Sequence, residues 1–399
     1  MNNIHLKMKR QRGFSLVELM VAVVIGLIGT VVMFQVFAVS EGQKRSSVSG
    51  GDAQQNGSIA LFTLERDLRN TAHGMRPLID KGRPLYTWSQ VNSGVLQPLV
   101  FRPILIVPGT NFDSITAMYS TSEGLSADVP LLQPWNPATV PNANIQVLRV
   151  QGFELGDQIA ICPNLALSPT GVCLRGEVTA INSAGNLLTL AAPPATYLVG
   201  TQAIVPRFNP AAGFTGAIGT RVSLDGLVIP ASYPGNGVTE DSATVHNLGQ
   251  MVARTFAIQD GQLTLNDGSV TTEFANGIVG LRAQYGLDTN DDKAVDAWVD
   301  PRGVQVNPRA SFTPNHSSFL IATDIQIAQS WRKVIAARVA IVARSDNMEK
   351  EVVETRSTIP LWTNASGPAA PVYTVPSGDG SHYRYKVFET IVPFRNMIW

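Results

Sequence analysis

The longest apolar stretch of the chain lies near its N-terminus, from Phe14 to Val39, and Glu18 is the one carboxylate inside it. These 26 residues would extend about 39 Å as an α-helix, which exceeds the ~30 Å hydrocarbon core of a bilayer. The pattern therefore predicts a membrane-spanning helix over residues 14–39.

A second helical pattern follows a polar interval. Residues 40–57 are small and polar, and because each glycine costs a helix about 1 kcal/mol relative to alanine, a hinge is expected near Gly50 and Gly51. Beyond it the residue pattern repeats at steps of three and four and predicts an amphipathic helix that ends near residues 70–74. The apolar positions, which we assign to the core of a head domain, are Ile59, Leu61, Phe62, Leu64 and Leu68, and the polar positions are Glu65, Arg66, Asp67 and Arg69. The amphipathic half of the helix is thus placed at residues 40–74.

From residue 75 onwards, short β-branched runs alternate with turn residues and predict strands. The runs are 145–150, 158–161, 174–181, 187–190, 319–327, 334–343, 351–359 and 383–392. The expected fold class is α+β, with a long N-terminal helix packed on a β-rich head. Because ~325 residues are more than one core supports efficiently, we expect an insertion-like region at 75–250 and a core sheet at 251–399.

The residues before the apolar stretch are basic. Lys7, Lys9, Arg10 and Arg12 occur in residues 1–13 with no acidic residue, which predicts that the N-terminus stays in the cytoplasm and the rest is translocated. A cleaved secretory signal is the alternative, with residues 38–40 as its cleavage site, but its apolar region would be only about 7 to 15 residues long.

Glu18 needs a positive partner, because a carboxylate at the bilayer centre costs about 2.5 to 3.5 kcal/mol. A cut between Gly13 and Phe14 would create an ammonium group one helical turn before Glu18. That group could pair with Glu18 of the same chain or of a neighbour, where it would set the register of a helical array. Alternatively, the Glu18 side chain extends to the membrane interface.

The ten residues GFSLVELMVA, positions 13–22, resemble the class III signal of type IV pilins and type II secretion pseudopilins. The resemblance implies that residues 1–13 are a leader, which a prepilin peptidase removes on the cytoplasmic side before it methylates the amine of Phe14. It also implies that Glu18 aligns subunits. The implied fold is pilin-like, with the first helix half in the membrane and half docked on the head.

Three further segments resemble the PilW family of minor pilins in type IV pilus assembly. They are GLRAQYGLD (280–288) with the following TNDD, WRKVIAARVAIVARS (331–345) and YKVFETIVPFRNMIW (385–399). With the N-terminal signal, the resemblance covers residues 1–74 and about 275–399. It implies partners among the other minor pilins, the major pilin and the inner-membrane assembly platform, and an address in the bacterial inner membrane with a periplasmic head, then at the pilus tip or cell surface.

The membrane half of the helix differs from that of common major pilins, which carry a proline there. Residues 14–40 contain no proline and have Gly26 and Gly29 instead, so the helical hydrogen-bond ladder stays intact. This difference and the large head favour a minor subunit.

An acidic segment has the spacing of a calcium loop. Asp288, Asn290, Asp292, Ala294 and Asp296 stand at relative positions one, three, five, seven and nine. However, Lys293 replaces the glycine of the sharp turn and Val299 replaces the closing glutamate, so a solvated acidic turn is the alternative. Calcium is the only cofactor that we consider.

The chain has two cysteines, Cys162 and Cys173. Translocation would place both in an oxidising compartment, so we expect them to form a disulfide, which would stabilise the fold by about 3 kcal/mol. Two free thiols are the alternative, and a CxxC spacing is absent.

Neither an enzyme nor a nucleic-acid-binding protein is indicated. The five histidines are scattered, without an HExxH pair, and the chain has no GxSxG, Walker or dinucleotide-binding motif. The formal net charge is zero, and no basic footprint for nucleic acid is visible.

Two classes of function remain. The first is an assembly subunit, either a minor pilin or a type II secretion pseudopilin of the J type. The second is a pilus-borne adhesin, in which residues 75–250 contact a surface.

Overall fold

The computed structural model describes residues 15–75, 78–79, 85–87, 97–99, 102–110, 112–121, 128–133, 143–162, 173–209, 243–301, 324–362 and 371–398. A long helix leads into a strand-rich head, so the predicted α+β class is confirmed. The strands in chain order are β1 (Leu85–Thr87), β2 (Gln97–Leu99), β3 (Ile104–Val107), β4 (Ser114–Ser120), β5 (Val129–Pro130), β6 (Ala143–Gln146), β7 (Gln158–Cys162), β8 (Cys173–Glu177), β9 (Ala180–Asn182), β10 (Leu187–Leu190), β11 (Tyr197–Val199), β12 (Gln202–Ile204), β13 (Thr244–Gly249), β14 (Met251–Gln259), β15 (Gln262–Asn266), β16 (Thr271–Asn276), β17 (Ile278–Leu287), β18 (Ala297–Val299), β19 (Val334–Arg344), β20 (Thr358–Pro360), β21 (Val372–Thr374) and β22 (Tyr385–Pro393). The helices are α1 (Leu16–Arg69), α2 (Asp324–Trp331) and α3 (Arg395–Ile398), with a 3₁₀ turn at Asp379–His382.

Helix α1 is continuous over 54 residues, which corresponds to about 81 Å. It begins after Ser15, whose carbonyl accepts a hydrogen bond from the Leu19 amide at 3.1 Å. The expected hinge near Gly50 and Gly51 is absent, because no proline interrupts the ladder and the head holds the helix from Ala53 onwards. The helix ends at Arg69, just before the predicted range.

The sheet beneath α1 has the strand order β18-β17-β19-β22, and its strands are antiparallel. One face carries α1, and the apolar cluster between them belongs to the main core of the head. The other face is covered by the β20–β21 hairpin through Ile359, Leu361 and Tyr373. Helix and hairpin thus enclose the sheet from both sides.

A second sheet crosses the boundary that the sequence suggested. Its order is β16-β15-β14-β4-β3, so strands from residues 104–120 pair with strands that follow residue 250. The predicted division into 75–250 and 251–399 therefore cuts through this sheet. The buried Tyr285 hydroxyl, which accepts the Ile106 amide at 2.7 Å, joins the sheet to β17.

The middle of the chain builds its own apolar cluster. A six-stranded sheet, β2-β1-β8-β7-β13-β5, packs with the three-stranded sheet β6-β10-β9 around Ile159, Ile161, Val245 and their neighbours. The strands predicted at 158–161, 174–181 and 187–190 are present, although the second of these is divided into β8 and β9. Of the predicted strand 145–150, only residues 145 and 146 lie in a strand, β6.

Two strand predictions near the C-terminus are wrong in part. Residues 324–327 of the predicted strand 319–327 lie in helix α2, because Ile327 and Trp331 are fully buried at a helical spacing of four. Residues 319–323 lie outside those described. Of the predicted strand 351–359, only Thr358 and Ile359 belong to a strand, β20.

Candidate functional site

The N-terminal half of α1 is exposed where the structure describes it. Every side chain from Leu16 to Lys44 is exposed, and this segment is long and apolar enough to cross a membrane. Gly13 and Phe14 lie outside the described residues, so their cleavage and methylation stay predictions.

Glu18 lies in the first turn of this apolar segment, where the amide dipoles of the helix favour a negative charge. It forms no ion pair within the described residues. The arrangement therefore presents one carboxylate at the start of an otherwise apolar, exposed rod, where a cation of a neighbouring chain could reach it.

The C-terminal half of α1 docks on the head by a face that differs from the predicted one. Leu64 and Leu68 are fully buried as expected, but Ile59 and Phe62 are 43% and 68% exposed. Conversely, Asp67, which was placed on the polar face, is 1% exposed. The buried stripe consists of positions 53, 57, 60, 64, 67 and 68, and it includes small residues because the backbone approaches the sheet closely there.

A buried carboxylate ties the end of α1 to the second sheet. Both Asp67 oxygens accept hydrogen bonds from Nη1 of Arg254 on β14, at 3.2 and 3.1 Å. Burial lowers the pKa of Arg254, but the Asp67 hydrogen bonds and charge hold it above its ordinary value. Burial, followed by the Asp67 charge, raises the pKa of Tyr119, whose ring centroid lies 5.8 Å from the Arg254 guanidinium carbon.

Contacts with the C-terminal strand and helix complete the docking. Gly57 faces the ring of Phe388 on β22 so closely that an added Cβ would lie 2.1 Å from Phe388 Cε2. Lys386 Nζ donates to Gln54 Oε1 at 2.7 Å, and Asn396 Nδ2 donates to the Thr71 carbonyl at 3.0 Å. The docked half of α1 is thus held along its length.

The sequence analysis did not predict the contacts of Asp67 and Gly57, although the sequence pattern contains an indication of each. Asp67 lies between Leu64 and Leu68 on the helical surface, and a charge within an apolar stripe indicates a buried pair. Gly57 was assigned to a flexible interval, whereas a glycine inside a helix also allows close packing.

The predicted disulfide is present. Cys162 ends β7 and Cys173 begins β8, and their sulfur atoms are bonded across a loop of 11 residues. Both residues are buried in the main core of the head. Because β7 and β8 are antiparallel neighbours in one sheet, the bond links the ends of the two strands where the connection between them begins and ends.

The acidic segment forms a turn that is stabilised by its own hydrogen bonds. Asp296 Oδ2 accepts from the amide and hydroxyl of Thr289, both at 2.7 Å, and Asp292 Oδ1 accepts from the Ala294 amide at 2.8 Å. Asn290 and Asp288 accept from backbone amides of the same turn. Among the described residues, no group of three or more His, Cys, Asp or Glu is arranged to hold a metal ion in this conformation, and the calcium ligands stay a prediction.

Comparison with known proteins connects both ends of this arrangement to pilus assembly. Residues 238–396 match the family model "Type IV Pilus-assembly protein W", and residues 8–34 match the "Prokaryotic N-terminal methylation motif". No curated protein matches the chain. Among solved structures, a type IV-like pilin, TTHA1219 from Thermus thermophilus, is similar with a TM-score of 0.28 and 8% identity, over 87% of this chain and 98% of that one.

The methylation motif covers the start of α1. The PilW model covers β13 to β22, among them β16, β19 and β22, which contact α1. The N-terminal segment matches a prepilin-type motif and the C-terminal part of the head matches the PilW model, and together these matches support a PilW-type minor pilin.

Proposed function

We propose that this chain belongs to the complex of minor pilins that primes type IV pilus assembly and remains at or near the pilus tip. Its role is structural rather than enzymatic, and motility or adhesion that depends on pili follows from it. The observation that carries the proposal is helix α1: an exposed apolar half with Glu18 in its first turn is continuous with a half that is fixed to the head.

This geometry suits a subunit that leaves the membrane and joins a fibre. Within a bilayer the apolar half is surrounded by lipid, and in a fibre the helices of neighbouring pilins can replace the lipid because both environments are apolar. A methylated amine on Phe14 of one subunit and Glu18 of another would then fix their relative height. Because α1 has no break, a shift of the N-terminal half would move the head with it.

The proposed processing and address follow the same logic. A prepilin peptidase removes residues 1–13 in the cytoplasm, and the chain waits in the inner membrane as a single-pass protein with its head in the periplasm. There it meets its partners, which are the other minor pilins, the major pilin and the assembly platform.

The proposal is tested by deleting the gene and complementing it with wild type or with Glu18→Gln. We expect the deletion to abolish surface pili and twitching, and Glu18→Gln to restore neither, although mass spectrometry finds the chain cleaved before Phe14. A mature chain that retains residues 1–13 would contradict the proposal.

Two other phenotypes would assign the chain to the alternative classes. Loss of protein secretion with intact pili would identify a J-type pseudopilin. Normal piliation with weakened attachment would identify an adhesin.

A further inference from the structure

The docked half of α1 has an exposed face as well as a buried one. The exposed stripe consists of Gln55, Ile59, Phe62, Arg66 and Arg69, spaced by four and three residues so that they lie in one row along the helix. Phe62 is 68% exposed, more than any other large apolar side chain described beyond the membrane segment. An aromatic ring in this position exposes apolar area that the head does not cover.

Arginines surround this ring. A cleft of about 550 Å³ is lined by Phe62, Glu65, Arg66, Arg69, Asn70 and Arg395. Arg395 comes from helix α3, which is fixed to the end of α1 by the Asn396 hydrogen bonds to the Asn70 and Thr71 carbonyls. Three cations and one carboxylate, Glu65, thus line the cleft. Glu65 pairs with Arg69, and the buried Asp67 pairs with Arg254 and, at 3.7 Å, with Nε of Arg66.

Cations in the last turn of a helix also stabilise its negative end, which accounts for Arg66 and Arg69. That effect explains neither Arg395, which belongs to another helix, nor the exposure of Phe62. Aromatic and arginine side chains are the residues enriched at the centres of protein interfaces. The combination therefore indicates a binding surface.

We propose that this surface, Phe62 with Arg66, Arg69 and Arg395, binds the head of another pilin of the same complex, through an apolar pocket on that partner surrounded by carboxylates. The inference rests on the proposed function and adds the site at which the complex forms. Charge complementarity selects the partner, because the cleft carries two net positive charges while the chain as a whole is neutral.

Two other occupants fit less well. The first is a lipid surface. Phe62 lies about 27 Å along the helix from Lys44, where the apolar segment ends, so its distance from lipid headgroups is several Debye lengths. A symmetric pair of this chain would place arginines against arginines, since a two-fold interface uses the same patch on both copies. Carboxylates of a different protein complement the arginines, whereas the same patch on a two-fold copy does not.

The test replaces Phe62 by p-benzoyl-phenylalanine in the full chain, expressed in piliated cells, and identifies the photo-adducts by mass spectrometry. The matched control carries the same residue at Leu198, which is also 60% exposed but lies on the β11–β12 hairpin. We expect Phe62, but not Leu198, to give an adduct with one other pilin, at a peptide of that pilin that contains Asp or Glu.

Charge variants then test the arginines. Reversal of all three (R66E, R69E, R395E) is expected to lower the adduct yield at least about tenfold, as for loss of an interface hot spot, and the matched lysine variant to retain it. Reversal of the acids in the linked peptide should restore the adduct of the Glu variant. Adducts only with a second copy, with lipid or with nothing, or an unchanged yield in the Glu variant, would overturn the inference.

The two proposals fail in different ways. Normal pili in the deletion strain would refute the proposed function. A deletion strain without pili that the triple Glu variant complements fully, with no adduct from Phe62, would refute only the binding surface.

Discussion

Replacement of Gly57 by alanine tests the docking of α1 most directly. An ideal Cβ at this position would lie 2.1 Å from Cε2 of Phe388 and 2.6 Å from both Cδ2 and Cζ. Because three atoms of one ring are too close, the ring must leave its place on β22 or the helix must lift. Overpacking of this kind typically costs about 1–3 kcal/mol.

The same substitution has an opposite effect through the helix itself, since alanine is favoured over glycine by about 1 kcal/mol. Gly51, six residues earlier in α1, has no atom within 4 Å of an added Cβ. We therefore expect Gly51→Ala to stabilise the protein by about 1 kcal/mol, and Gly57→Ala to be about 1–3 kcal/mol less stable than Gly51→Ala.

The measurement is urea unfolding of the full chain in detergent, followed by tryptophan fluorescence, because Trp331 is fully buried in the head core. Combining Gly57→Ala with Phe388→Leu should recover part of the loss, since the shorter side chain leaves room for the methyl group. If Gly57→Ala stabilised the protein as much as Gly51→Ala, α1 would not lie against β22 at this position.

Three further predictions concern charge, covalent links and pH. Asp67→Asn should lower the free energy of unfolding by about 2–3 kcal/mol, below the range for a fully buried pair because Arg254 is one-third exposed to water, and urea unfolding checks it. Replacement of Cys162 and Cys173 by serine should cost about 3 kcal/mol, the loop entropy of 11 residues, again measured by urea unfolding. Hydrogen bonds from the Val270 and Ser269 amides and the Ser269 hydroxyl lower the pKa of Asp267 to about 2. Its stabilisation of the β15–β16 turn is therefore complete above the ordinary pKa of the carboxyl and is lost as pH falls through about 2. Asp267→Ala should speed amide exchange of this hairpin at about pH 5 and much less at about pH 2.

Each of these has a control that the structure supplies. Glu65→Gln removes an exposed pair with Arg69 and should change stability by less than about 1 kcal/mol, so an equal effect at Asp67 would argue against its burial. Reduction of the wild-type protein should reproduce the serine variant, and a difference would indicate that the thiols themselves destabilise the core. A constant difference in exchange between about pH 5 and pH 2 would show that the Asp267 carboxylate is not responsible.

The features that sequence reasoning predicted correctly are local ones. The apolar run after Phe14 predicted the exposed segment that begins at Leu16, because length and hydropathy are properties of a single helix. Alternation predicted the strands at 158–161 and 334–343. The disulfide was predicted because the chain has two cysteines and its head is expected in an oxidising compartment.

The errors arose where one residue type serves two environments. Phe62 was assigned to the core because it is apolar and lies among leucines. The docked face of α1, however, is centred on Gly57, Ala60 and Leu64, which at about 100° per residue lie about 140–160° around the helix axis from Phe62. Asp67 was assigned to solvent because it is charged, yet Arg254, 187 positions later, makes its burial possible.

The prepilin-type N-terminus, the membrane-length helix and the β-rich head can be predicted from the chain alone, since they depend on neighbouring residues. The fold was needed to learn which face of α1 lies on the head and that β4 pairs with β14 across the suggested boundary. These two features depend on contacts between residues far apart in the chain, and local periodicity does not specify which distant surfaces meet.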